Sequence, residues 1–137
     1  MLVPTHPEIK LFPLAQSMAE TLSVKYKLAI ASGSWAKDIR YILENASALN
    51  LFPVILGKES AVKEKPHPDI FINAAEKLGC APFECFVLED ALKGLHAAKE
   101  AGMPCIILRN PLNRNINFAG AELIFESLED FVSVLQD

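Results

Sequence analysis

The sequence predicts an α/β fold, a parallel sheet covered by helices on both faces, and three observations predict it. Amphipathic stripes at helical spacing alternate with short runs that are apolar without interruption, the mark of strands buried on both faces. Gly, Pro and Asn stand at most of the junctions between them, where turns are needed. A chain of 137 residues, 51% hydrophobic and 22% charged, has the size and composition of one globular domain, which hides roughly two-thirds of its unfolded surface. With no internal repeat, low-complexity tract or linker, residues 1–137 read as a single domain.

The elements follow in order. Leu11, Leu14, Ala15, Met18 and Leu22 form a stripe that predicts a helix over about 13–25. "KLAIAS", Lys27 to Ser32, is a strand that stops at Gly33. Trp35, Ile39, Ile42, Leu43, Ala46 and Leu49 restore the helical period, and "PVILG", Pro53 to Gly57, is a short strand. "KESAVKEKPHP" is a polar loop; Pro68 and Asp69 then suit the first turn of a helix carrying Phe71, Ala74, Ala75 and Leu78. "CFVLE" is a strand, and the helix after it carries Leu92, Leu95, Ala98 and Ala101 before stopping at Gly102 and Pro104. "CIILR", Cys105 to Arg109, is a strand closed by Asn110 and Pro111. "ELIF" is the last strand, and Ser127, three residues before Asp130, is the capping signature of a helix with Leu128, Phe131, Val132 and Leu135.

Bulk properties exclude several classes. Thirteen basic against seventeen acidic residues give a net charge of -4 with no basic cluster, so a nucleic-acid partner is not expected. The cysteines Cys80, Cys85 and Cys105 have no Cys-x-x-Cys spacing and are expected to be buried and reduced. No run approaches the roughly 18 consecutive apolar residues of a membrane span, and no signal layout opens the chain. The expectation is a cytoplasmic domain with no membrane partner.

Three places could carry chemistry, all on the carboxyl edge of the predicted sheet, where strand ends and helix starts meet and open α/β sheets bind ligands. Ser32, Gly33 and Ser34 end one strand, the adjacent carboxylates Glu89 and Asp90 end another, and Lys65 stands before Pro66 in a loop leading to a helix. A hydroxyl, free backbone N–H groups and a lysine can hold a phosphate, while neighbouring carboxylates can hold Mg²⁺ together with phosphate oxygens and water. Each also has a plainer reading. Ser34 and Asp90 could merely cap the helices that follow them, and Lys65 could be a solvated loop lysine. Trp35 and His96 fall on or beside helical stripes and read as packing residues. His6 and His67 lack partners at metal-site spacing, and there is no dinucleotide or P-loop fingerprint.

"LAIASGS" with Ser32, "KEKPHPDIF" with Lys65 and "VLEDALKGLHAAKEAGMP" with Glu89 and Asp90 resemble the second, third and fourth motifs of the haloacid dehalogenase-like hydrolases, in the phosphatase and phosphomutase branch near β-phosphoglucomutase and phosphoglycolate phosphatase. The resemblance runs from about Phe12 to the carboxyl end. It implies a Rossmann-like sheet and a Mg²⁺-dependent phosphatase or phosphomutase acting on a small phosphorylated metabolite. By that resemblance Ser32 and the N–H of Gly33 bind the transferring phosphoryl group, Lys65 offsets charge on its oxygens, and Asp90 with Glu89 holds Mg²⁺. Such roles suit phosphoryl transfer, in which positioning and electrostatic stabilisation do nearly all the work. The cation would also explain why two carboxylates tolerate being adjacent.

The family's first motif, Asp-x-Asp, supplies its nucleophile and its general acid/base. The aspartates here are Asp38, Asp69, Asp90, Asp130 and Asp137, and no two are separated by a single residue. Nor is there room for the cap domain that follows this motif. The chain is therefore expected to correspond to the carboxyl-terminal part of such an enzyme, without a cap, and to be inactive alone. In the family the first-motif strand lies between those corresponding to Lys27–Ser32 and Cys85–Leu88. Without it, either these two strands pair directly or another chain fills the gap, and the second is the expectation: a homo-oligomer or a complementing amino-terminal segment. Two rival readings are a non-catalytic module that binds phosphate or a protein, and a receiver-like α/β domain, which the lack of a suitable central aspartate disfavours.

Overall fold

The computed structural model describes residues 13–136. Helices and strands alternate: α1 (Pro13–Ser23), β1 (Ala29–Ala31), α2 (Ala36–Asn45), β2 (Val54–Leu56), α3 (Asp69–Leu78), β3 (Val87–Glu89), α4 (Leu92–Glu100), β4 (Cys105–Leu108), β5 (Leu123–Phe125) and α5 (Leu128–Gln136). Every strand pairing among the described residues is parallel.

The uninterrupted apolar runs are explained by two core layers, one on each face of the strands. Val54, Leu56, Val87, Cys105 and Ile107 pack with α3 and α4 through Phe71, Ala74, Leu95 and Ala98. Their neighbours in sequence, Ile55, Leu88 and Leu108, pack on the opposite face with α1, α2 and α5 through Met18, Leu22, Ile39, Leu43 and Phe131. Successive side chains of a strand point to opposite faces, so a strand covered on both must be apolar at every position.

Helix ends follow the punctuation in the sequence. Gly79 takes a left-handed φ of 74° after α3, and the Cys80 N–H returns to the Ala75 carbonyl. Gly102, with φ 76°, closes α4 in the same manner as the Met103 N–H reaches the Ala98 carbonyl. Only glycine adopts this conformation without a steric cost. At α5 the Ser127 hydroxyl accepts from the Asp130 N–H at 3.1 Å, as the capping signature predicts. One helix is shorter than its stripe: α2 stops at Asn45, Ser47 turns to φ 55°, and Leu49 belongs to a separate single turn, Leu49–Leu51. Leu49 still packs on the core, so it kept the helical period without being in the helix.

The strands form two sheets, β2-β1 and β3-β4-β5, and β1 does not pair with β3. An apolar slot of about 310 Å³ lies between them, lined on one wall by Leu28, Ala29 and Ala31 and on the other by Phe86, Val87 and Leu88. No described helix is long and apolar enough to cross a membrane.

Candidate functional site at the strand-end rim

The three candidate places converge at the carboxyl ends of β1 and β3. Lys65 reaches in from the loop before α3, its Nζ donating to the Ala31 carbonyl at 3.1 Å and to Glu89 Oε2 at 2.6 Å. It also lies 4.9 Å from the centre of the Phe71 ring. The ion pair is largely removed from water, with the Lys65 and Glu89 side chains 19% and 7% exposed. Ser32, Gly33, Lys65 and Glu89 line one cavity of about 240 Å³, together with Lys58, Lys93 and Glu64, whereas Ser34 and Asp90 do not line it. A small hollow at strand ends, lined by three lysines against two glutamates, is suited to an anion.

Local structure decides what each side chain is free to do. Ser32 Oγ accepts from the Ser34 N–H at 3.1 Å, which folds the Ser32–Ser34 turn. Ser34 does not cap α2; the first free N–H of that helix, at Ala36, is taken by the Glu59 carboxylate at 3.1 and 3.4 Å. Asp90 does not cap α4 either, since the position before that helix is Ala91 and carries no side-chain cap. The Asp90 carboxylate instead accepts from the Asn110 amide at 3.2 Å, and the buried Asn113 amide holds the Asp90 and Leu108 carbonyls at 2.8 and 3.1 Å. The capping alternatives for Ser34 and Asp90 thus fall away.

Glu89 is 5% exposed, and its carboxylate lies against the backbone of α4 at Gly94, where a Cβ would overlap it. The crowding of the acid pair is relieved on the Glu89 side by Lys65. Among the described residues no cation pairs with Asp90: burial first, and the neighbouring Glu89 second, raise its pKa above the ordinary carboxylate value, while the Asn110 amide pulls the other way. A carboxylate penalised in this way gains from a divalent ion, and two adjacent carboxylates are within the donor set that Mg²⁺ uses when phosphate and water complete its shell. Among the described residues no cluster of three or more His, Cys, Asp or Glu side chains forms a metal cage.

Several sequence readings need correction or addition. Trp35 is 47% exposed, its ring under the Lys58 ammonium at 4.3 Å, and His96 is exposed, so neither packs in the core. Cys105 is buried, but Cys80 and Cys85 are only half-buried; all three are free thiols. Sequence reasoning missed Glu59, Gly94, Asn110 and Asn113. The isolated glycine inside the α4 pattern was the one available signal. His6 lies outside the described residues.

A Rossmann-like α/β core with its polar site on the carboxyl rim is the class that fold and site define. Residues 3–108 match the haloacid dehalogenase-like hydrolase family, and the chain belongs to it. It is 34% identical over 133 residues to a CbbY-like protein of Arabidopsis thaliana, covering 90% of this chain and 40% of that one. CbbY from Rhodobacter sphaeroides, solved with phosphate, superposes with a TM-score of 0.81 at 30% identity, over 90% of this chain and 57% of the other. A mutant of the same protein was solved with xylulose-(1,5)-bisphosphate. A β-phosphoglucomutase from Clostridium difficile gives a TM-score of 0.75 at 25% identity, over 93% and 58% of the two chains. The chain spans 37–55% of the length of the first four curated relatives that it matches.

Proposed function

We propose that the rim cavity holds the phosphoryl group of a small phosphorylated metabolite, as the site of a Mg²⁺-dependent phosphatase or phosphomutase that the described residues supply only in part. The observation that carries this reading is the Lys65 ammonium, fixed between the Ala31 carbonyl and Glu89 at the lip of the hollow it shares with Ser32 and Gly33. The Ser32 hydroxyl and the Gly33 N–H would hold two phosphate oxygens, and Lys65 would offset the charge that builds on them. Glu89 keeps the lysine oriented. Asp90, with Glu89 beside it, would hold the magnesium, whose charge when bound neutralises phosphate oxygens and orients them. The relatives solved with phosphate and with a sugar bisphosphate support the substrate class.

No carboxylate of the sequence stands in an Asp-x-Asp pair, so the covalent step has no nucleophile of the family's kind here. The chain alone is expected to bind phosphate without turning over an aryl phosphate. The test is calorimetric titration with inorganic phosphate and Mg²⁺, beside an aryl phosphatase assay. Saturable binding that Lys65→Ala reduces at least tenfold, with no turnover, supports the reading. Undiminished binding in that variant would show that the anion sits elsewhere, and turnover by the chain alone would overturn the predicted inactivity.

A further inference from the structure

We infer that Cys80 and Cys85 form a dithiol that a small anionic disulfide of the glutathione type converts, reversibly, to an intramolecular disulfide. The inference stands on the turn between these residues and not on the phosphoryl reading.

The chain between α3 and β3 folds into one tight turn. The Glu84 N–H donates to the Ala81 carbonyl at 2.9 Å and the Cys85 N–H to the Pro82 carbonyl at 3.0 Å, while the Glu84 carboxylate accepts from the Ala81 N–H at 2.9 Å. Cys80 leads into this turn and Cys85 leads out of it. The Cys85 thiol folds back to the Ala81 carbonyl, 3.4 Å away, beside the residue that follows Cys80. A disulfide requires Cα atoms within about 7 Å, and a closed turn brings its first and last residues into that range. Cys80 and Cys85 flank such a turn directly. Both line the same apolar slot, both are half-buried, and Pro82, Phe83 and Glu84 between them are exposed, so the turn has room to adjust as the bond forms.

Their surroundings assign the two thiols different roles. The Cys80 thiol and the Lys27 ammonium meet at one carbonyl, that of Leu78, at 3.7 and 3.3 Å, so a cation stands beside this sulfur. The Cys85 thiol is pushed above its ordinary pKa by burial first, then by Cys80 and by Glu84. The thiolate is the attacking form, so Cys80 takes the first step. Its thiolate attacks one sulfur of oxidised glutathione, the S–S bond of that oxidant breaks, and one glutathione thiolate leaves and takes up a proton. A mixed disulfide on Cys80 remains. This step also removes the Cys80 charge that opposed ionisation of Cys85. The Cys85 thiolate then attacks the Cys80 sulfur and expels the second glutathione, so two protein thiols lose two protons and two electrons and one disulfide becomes two thiols. Lys25 and Lys27, both on the slot, suit the carboxylates of such an oxidant. Cys105, buried in β4, is the internal reference.

The test incubates the whole, natively folded chain with oxidised glutathione, traps remaining thiols by alkylation and maps the products by peptide mass spectrometry. The expected product is a monomer lighter by two hydrogens, with the Cys80–Cys85 bond at least tenfold more abundant than any bond to Cys105, and dithiothreitol should restore both thiols. Cys85→Ser should stop at the mixed disulfide on Cys80. Cys80→Ser should take up glutathione at least tenfold more slowly than Cys85→Ser does. Three results for the unaltered chain, which need no variant to fold, would each overturn the inference: both thiols still free, a mixed disulfide that accumulates without closing, or a bond formed between two chains. Faster uptake at Cys85 than at Cys80 would overturn the assigned order of attack.

Discussion

At its carboxyl end the seam between β1 and β3 is spanned by one charged side chain, Lys65, tied to the Ala31 carbonyl and to Glu89. A residue or two lower, Ala29 and Val87 border a slot that no described strand fills. Both parts lie between the same strands, yet one is closed and polar and the other open and apolar. Closure by a charge is local and directional, since a single ammonium satisfies a carbonyl and a carboxylate. Closure by apolar contact needs a continuous body of atoms.

Removing the polar closure should have the largest effect. Lys65→Ala leaves the Glu89 carboxylate buried without its cation, which typically costs about 3–5 kcal/mol, read by urea denaturation. Replacing both partners, Lys65→Met with Glu89→Leu, should restore most of the loss, because no charge is then left unpaired. If the double variant were as unstable as the single one, the pair would be acting through shape and not charge.

The slot can be weighed against the packed sheet by the same kind of truncation in each. Ile107, fully buried in β4 between β3 and β5, should lose about 3–4 kcal/mol on change to alanine. Leu28, also buried but bordering the slot, should lose only about 1–2 kcal/mol, because part of its surroundings is already empty and can close in. Equal losses would mean that the slot is packed in solution.

What the sequence made legible tracks the range of the interactions. The α/β class, the order of elements and the glycine stop of α4 at Gly102 follow from spacing and from short-range backbone chemistry, and the structure has them. The rim residues were legible as motif positions, because Ser32, Lys65 and the Glu89–Asp90 pair lie at strand ends and before a helix. Their partners were not. Glu59 takes the α2 N–H that Ser34 was a candidate to cap, from 23 residues away, and Asn110 reaches Asp90 across 20 residues. Contacts at that separation leave no period in the sequence. The exposure of Trp35 was hidden for a related reason: a stripe reports the face of a helix, and Trp35 lies just before α2, where Lys58 covers its ring instead of the core.

The smallest effect concerns Asp90, the rim carboxylate that no described cation pairs with. Burial and Glu89 raise the Asp90 pKa, so its ionisation is less favourable in the folded chain than in the unfolded one. The cost of that charge is absent below the unfolded aspartate value, about 3.9, and complete above the raised folded one. Asp90→Asn should accordingly stabilise the chain at pH 7, with the gain shrinking as the pH falls towards 4. The Asn110 hydrogen bond does not oppose this, since an asparagine oxygen can still accept it. Magnesium should raise the melting temperature of the unaltered chain at pH 7 and leave that of the variant unchanged. A variant that was stabilised equally at both pH values would assign the gain to packing, and an equal magnesium response in both proteins would move the ion away from Asp90.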